Sequence, residues 1–89
     1  NMDFHVMDEP IVVEGRGLAL VLEDGAPPAL QAGSRIRDAR GNVHTISTIS
    51  QQEDLTILMI SQGDADYFGR LFRNIMLDAT CFTLLPEGA

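Results

Sequence analysis

The stretch that decides the fold is D-Y-F-G-R-L-F-R-N-I, residues 66–75. Its apolar residues recur at the spacing of one face of a helix: Tyr67, Phe68, Leu71, Phe72 and Ile75. Gly69 stands in the middle of this pattern, and glycine weakens a helix interior by roughly 1 kcal/mol relative to alanine. The stretch therefore allows two interpretations, a short amphipathic helix or a turn followed by a strand.

The composition is typical of one globular domain spanning residues 1–89, with 45% hydrophobic and 21% charged residues. We expect Met2 to be the native start and Asn1 to be a remnant of expression. No apolar run approaches the roughly 20 residues needed to cross a bilayer, so no membrane association is expected. The single cysteine, Cys81, cannot form an intramolecular disulfide, which favours a cytoplasmic location.

Outside the opening stretch the sequence is β-rich, with short apolar or alternating runs separated by turn residues. The predicted strands cover residues 4–7, 11–14, 18–22, 34–38, 43–49, 55–60 and 80–85, and residues 51–54 are a predicted polar turn. Gly15, Gly17 and Gly25 are expected at bends of the backbone. Six or seven short antiparallel strands favour a small closed β-barrel over a sandwich, because closure removes exposed strand edges.

Two stretches follow a family pattern. D-E-P-I-V-V-E-G-R-G, residues 8–17, places an acidic pair before apolar residues and a Gly-Arg-Gly bend. Residues 66–75 place Asp66, an apolar residue, Gly69, an apolar pair, Arg73, a small residue and Ile75 in order. Both resemble the β-barrel domain that follows the GTPase domain in translation factors of the elongation factor Tu type.

The resemblance implies an all-β, closed barrel of the translation-protein type. It also implies a turn from Asp66 to Gly69, followed by a strand over residues 70–75, with the helix as the alternative. In that family the acidic pair and a late asparagine lie near the pocket for the aminoacyl end of tRNA. Asp8 and Glu9 match the acidic pair, whereas Tyr67 stands in place of the asparagine.

No catalytic chemistry is indicated by the residues. The chain has no lysine, so it has no phosphate-binding P-loop and GTP hydrolysis is excluded. His5, His44 and Cys81 have no spacing typical of a zinc site. No serine lies in a nucleophile turn. We therefore expect no enzyme activity, no catalytic residue, no metal and no cofactor.

The charge narrows the class of partner. Thirteen acidic residues against six arginines give a net charge of −7, which disfavours binding to nucleic acid. The predicted function is a stand-alone, non-enzymatic interaction module that binds a protein partner. The predicted contact residues are Asp8, Glu9, Arg16, Tyr67 and Arg73, and the structural turn glycines are Gly15, Gly17, Gly25 and Gly69. An RNA-binding barrel that contacts the acceptor end of tRNA and a small-molecule-binding domain remain open, as does the oligomeric state.

Overall fold

Eight short strands and one helix make up the computed structural model, which describes residues 2–87. In chain order they are β1 (Asp3–His5), β2 (Ile11–Val13), β3 (Gly17–Leu22), β4 (Arg35–Arg37), β5 (Val43–Thr45), β6 (Thr48–Gln52), β7 (Leu55–Ile60), α1 (Ala65–Phe72) and β8 (Cys81–Leu84). The first sheet has the order β1-β8-β4-β5, and the second sheet has the order β2-β3-β7-β6. All strand pairs are antiparallel.

The core contains apolar side chains of both sheets and of α1. Its largest fully buried members are Leu20, Leu22, Ile36, Ile46, Leu58, Phe68, Leu71 and Phe82. In β3 and β7 the core residues alternate, as a pleated strand requires. The radius of gyration is 12.0 Å, about the value expected for a compact domain of this length.

Helix α1 corrects the prediction for residues 66–75. The predicted turn and strand are wrong, and the helical alternative is right over Ala65–Phe72. The Asp64 carboxylate caps the helix by accepting the N–H groups of Asp66 and Tyr67. Such a cap stabilises a helix by about 1 kcal/mol, which is comparable to the penalty for a glycine inside the helix. Because these two effects cancel, burial of the apolar face decides in favour of the helix.

Gly69 is consequently not a turn residue, because it lies buried inside α1. The absence of a side chain at Gly69 leaves space for the side chains of Arg73 and Glu9. A Cβ placed there would lie 3.2 Å from the guanidinium nitrogens of Arg73 and 3.4 Å from Oε2 of Glu9. Ile75, the last residue of the apolar pattern, lies beyond the helix and is exposed.

The predicted single strand over residues 43–49 is also wrong. It is two strands, β5 and β6, in different sheets. At the crossing, the N–H of Ile46 donates to the carbonyl of Ser34, and the N–H of Ser47 donates to that of Met59. Strand β6 then continues through Gln52, so only the end of the predicted polar turn is a turn.

Within the described residues the fold is therefore mostly β, with two antiparallel sheets and one short helix, and the prediction of a β fold is confirmed in this coarse form. Within residues 2–87 the strands pair into two four-stranded ladders, and no strand pair joins one ladder to the other. Gly15, Gly17 and Gly25 all have positive φ, as expected at bends that favour glycine.

Candidate interaction surface

The outer side of the second sheet is apolar. Directly opposite residues of an antiparallel pair point to the same side of the sheet. One row across the second sheet is Ile11, Ala19, Met59 and Thr48, and the next is Val21, Ile57 and Ser50. The alternate residues of β3 and β7 are the ones that join the core. We call Ile11, Val13, Ala19, Val21, Ile57 and Met59 the outer apolar face.

The outer side of the first sheet is different. Its longest row contains Asp3, Thr83, Arg37 and Val43, and the neighbouring rows pair Arg35 with Thr45 and His5 with Cys81. Ile36, Phe82 and Leu84 alternate with these residues and lie in the core. The first sheet thus has the apolar-in, polar-out pattern of a sheet with one solvated face.

Exposure within the outer apolar face rises toward β2. Ala19 and Met59, at its centre, are each 6% exposed, yet neither belongs to the core cluster. These two side chains are therefore already buried within the domain itself. Ile11 is 58% exposed, and its neighbour Val12, which points to the opposite side, is 65% exposed. The edge strand of this sheet therefore presents apolar side chains on both of its sides.

Charged residues bracket β2. Asp8 and Glu9 precede it and Glu14 follows it, all exposed. Arg16 stands in the turn to β3, where its N–H donates to the carbonyl of Val13 over 2.9 Å. Among the predicted contact residues, Asp8, Glu9 and Arg16 are thus near one another in the chain around β2.

Arg73 lies near Glu9 in the fold. Its guanidinium and the carboxylate of Glu9 both approach the surface of α1 at Gly69. Four of the five predicted contact residues are therefore connected to β2 or to the segment just before it.

Tyr67 has a separate, internal role. Its hydroxyl donates to Oδ2 of Asp38 over 2.6 Å and accepts from the side chain of Asn42 over 2.7 Å. Nε2 of His44 lies 2.8 Å from the same Asp38 oxygen. The N–H groups of Arg40 and Asn42 donate to the other oxygen over 2.8 and 3.1 Å. We call Asp38, Asn42, His44 and Tyr67 the Asp38 cluster.

The electrostatics of the Asp38 cluster favour an ionised carboxylate. Burial raises the pKa of Asp38, but hydrogen bonds from Tyr67, His44 and two backbone N–H groups more than offset this and hold the pKa below its ordinary value. Burial, and the bond to Asp38, raise the pKa of Tyr67. An ionised carboxylate only accepts hydrogen bonds, so Nε2 of His44 carries the proton. The cluster ties α1 to the β4–β5 hairpin.

Sequence reasoning missed the role of Asp38 and did not single it out as a candidate residue. The pattern D-A-R-G-N carries a partial signal, because aspartate before such a turn commonly accepts backbone N–H groups. Nothing local indicates that Tyr67, 29 residues away, supplies the shortest bond.

The chemistry available elsewhere is limited. Among residues 2–87, no group of three or more histidine, cysteine or acidic side chains is placed to hold a metal ion. Within the same range, no helix has the length and apolar character needed to cross a membrane. Burial raises the pKa of the Cys81 thiol, which is opposite to what a reactive thiolate requires.

The fold and the surface define a small two-sheet β domain with one apolar outer face. Comparison of the chain with protein-family models, with curated proteins and with solved structures finds no match in any of the three. The relation to translation factors stays a prediction from the sequence.

Proposed function

We propose that this protein is a non-enzymatic interaction module that binds a protein partner through the outer apolar face of the second sheet. The observation that carries the proposal is that β3 and β7 are apolar on both sides. Strands with nearly continuous apolar sequences are typical of sheets covered on both faces. Here one side is covered by the core, and on the other the partner would cover the exposed Ile11 and the half-buried Val21 and Ile57.

The first sheet has polar and charged residues on its outer side, whereas the second sheet has Val21 and Ile57 there, and this contrast supports the assignment. Val21 and Ile57 lie outside the core cluster, so they add less to the stability of the isolated domain than the neighbouring core residues. Covering apolar surface by a partner favours association by about 25 cal/mol per Å², and the entropy lost on binding opposes this gain. Exposed apolar surface that forms a patch is characteristic of an interaction site, and Ile11 at the edge of this face is 58% exposed.

We infer in addition that the two sheets are parts of a barrel of the translation-protein type. Two hydrogen-bonded junctions support this. The backbone passes directly from β5 to β6 at residues 46–47, and the N–H of Met7, just after β1, donates to the carbonyl of Val21 over 2.8 Å. Slow hydrogen exchange at the amide of Met7, as slow as in β3, is expected if the ring is closed there.

Site-specific photo-crosslinking tests the interaction. Benzoylphenylalanine replaces Ile57, on the outer apolar face, and in a control protein it replaces Val43, which is exposed on the outer side of the first sheet. In cells of the source organism we expect one discrete protein adduct from position 57 and none from position 43. The captured protein, once identified and purified, should bind the wild type and lose most of its affinity for Ile57→Asp.

Equal adduct patterns from positions 57 and 43 would contradict the proposal, as would undiminished binding of the purified partner to Ile57→Asp. Recovery of RNA in place of protein would favour the RNA-binding alternative. Thr45→Asp, at an exposed position opposite Arg35 on the outer side of the first sheet, is the matched control for the added charge, and it should retain full affinity.

A further inference from the structure

Strand β2 is an edge with an unusual composition. It pairs with β3 on one side only, and its other edge has no strand beside it within residues 2–87. Its side chains are Ile, Val and Val, and the first two are more than half exposed on opposite sides of the sheet. Exposed apolar edge strands invite pairing with another chain, so natural proteins commonly cover or charge them.

We propose that β2 accepts an extended segment of a partner protein as an added strand, and that this segment is apolar with lysine or arginine at both ends. This inference rests on the proposed function, since the added strand would lie beside Ile11 and extend the outer apolar face. In such strand addition, main-chain hydrogen bonds supply affinity, and alternate side chains supply specificity. Val12, on the other side, would be covered by the intervening side chains of the same segment.

The charges around β2 specify the ends of the partner segment. A strand lying along Ile11–Val13 has one end beside Asp8 and Glu9 and the other beside Glu14. Arg16 lies in the turn after Glu14, and the guanidinium of Arg73 lies near Glu9 at Gly69, so these arginines offset part of this charge. The domain as a whole still carries a net charge of −7, which attracts a basic segment over longer distances.

A second copy of this chain fits the edge less well. Antiparallel pairing of β2 with its copy, centred on Val12, would bring Glu14 close to Glu9 of the other copy. Parallel pairing would set each acidic residue beside its own equivalent. Like charges directly opposite each other destabilise strand pairs. The net charge of −7 on each copy adds further repulsion.

Synthetic peptides test the inference on the intact protein. The peptide Lys-Lys-Val-Thr-Val-Thr-Val-Lys-Lys is compared with the same core flanked by glutamates, and with a basic peptide whose central valine is proline. Binding is measured by fluorescence anisotropy and located by amide chemical shifts. We expect the basic peptide to bind at least about tenfold more tightly than either of the others, the factor that corresponds to about 1.4 kcal/mol. Its shifts should centre on residues 11–13.

Charge-reversed variants separate a local contact from general attraction. Glu9→Lys with Glu14→Lys should weaken binding of the basic peptide at least about tenfold. Glu23→Lys with Asp24→Lys changes the net charge equally at exposed positions beyond the far end of β3. This control should retain affinity within about twofold. Equal losses in the two variants would overturn the inference.

The outcomes also distinguish this inference from the proposed function. Absence of peptide binding, together with a partner crosslink at position 57, would overturn strand addition and leave the interaction face standing. Peptide binding at β2 without any crosslink would support strand addition and contradict docking on the face. A concentration-dependent dimer in sedimentation that excludes the peptide would assign β2 to a second copy and overturn the inference.

Discussion

The two sheets of this protein have the same number of strands, but their outer sides differ in polarity. In the first sheet, buried Ile36 is flanked by Arg35 and Arg37, which point outward. In the second sheet, buried Leu20 is flanked by Ala19 and Val21, and outward-pointing Ile57 and Met59 lie opposite them. The inner sides of both sheets pack in one shared core. The outer side of the first sheet faces water. We propose that the outer side of the second sheet binds a partner.

The sheets also differ in their buried polar groups. The Asp38 cluster lies at the first sheet, where a carboxylate with a fully buried side chain receives four hydrogen bonds. Among the residues that the structure describes, the second sheet has one buried polar residue, Thr56. Specific polar bonds thus hold α1 to the first sheet, while the second sheet relies on apolar packing.

The largest effect is expected at the start of β3. Gly17→Ala should cost roughly 3 kcal/mol or more of the free energy of unfolding, or prevent folding, because both strain and overlap act there. Gly17 has φ +108°, and a Cβ would overlap the backbone oxygen of Ile60 and lie 2.8 Å from Cα of Ser61. Urea denaturation measures the loss.

Gly15→Ala is its control, since Gly15 also has positive φ but no atom within 4 Å of a Cβ. It should cost only about 1 kcal/mol. Similar losses at both positions would show that backbone conformation alone, and not close approach of the strands, requires glycine in this hairpin.

The next largest loss of stability is expected for substitutions on the core-facing sides of the two sheets. Leu20→Ala removes a fully buried core side chain and should lower the free energy of unfolding by about 3 kcal/mol. Its thermal midpoint should fall accordingly. Ile36→Ala, at an equally buried position in the first sheet, should cost a similar amount because the two sheets share one core. A loss below about 1 kcal/mol at either position would contradict a shared core.

A smaller effect is expected in the Asp38 cluster. Tyr67→Phe removes a 2.6 Å bond to a buried carboxylate and should cost about 1.5 kcal/mol at neutral pH. The pKa of folded Asp38 lies below its ordinary value of 3.8, so its bonds stabilise the protein above that value, and this contribution is lost as the pH falls through the folded pKa. The difference between wild type and Tyr67→Phe should therefore narrow below about pH 4.

Thr83→Val is the matched comparison on the outer side of the first sheet. It removes a 2.7 Å bond from a hydroxyl to the carboxylate of Asp3, but this bond is exposed. In the variant, water takes the place of such an exposed bond, so the loss in the free energy of unfolding should stay below about 0.5 kcal/mol.

The Tyr67→Phe prediction has its own contradicting outcome. If the difference in the free energy of unfolding between wild type and Tyr67→Phe did not change with pH, the assignment of an ionised Asp38 would be wrong.

The smallest effect is expected on the outer apolar face. Val21→Thr and Ile57→Thr should each cost less than about 1 kcal/mol, because threonine suits strands and these side chains lie outside the core. Partner binding should weaken in both, while circular dichroism and the unfolding midpoint change little. Losses near that of Leu20→Ala would show that the face belongs to the fold and would break the contrast between the sheets.

Much of the strand content could be predicted because it is encoded locally. The apolar runs over residues 18–22 and 55–60 coincide closely with β3 (Gly17–Leu22) and β7 (Leu55–Ile60). Two local ambiguities were resolved wrongly. Residues 66–75 carry both a helical period and a family-like strand pattern, and residues 43–49 alternate without interruption through a change of sheet.

The candidate site was predictable only in part. Asp8, Glu9 and Arg16 could be associated because they adjoin one β-rich segment. The proximity of Glu9 and Arg73 at Gly69 and the bond from Tyr67 to Asp38 bring together residues far apart in the chain. The outer apolar face depends on knowing which residues of β3 and β7 are covered by the core, which a run of consecutive apolar residues does not reveal.

The amino-acid sequence by itself determined the strand-rich character, the turn glycines, the lack of a P-loop and the acidic charge, because each follows from neighbouring residues or from composition. Tertiary structure alone decided that residues 65–72 form a helix, that β5 and β6 separate, and which apolar side chains lie outside the core. The reason is that burial is a property of the assembled sheets. A helical and an extended backbone of similar local free energy are separated by the contacts they make with distant parts of the chain.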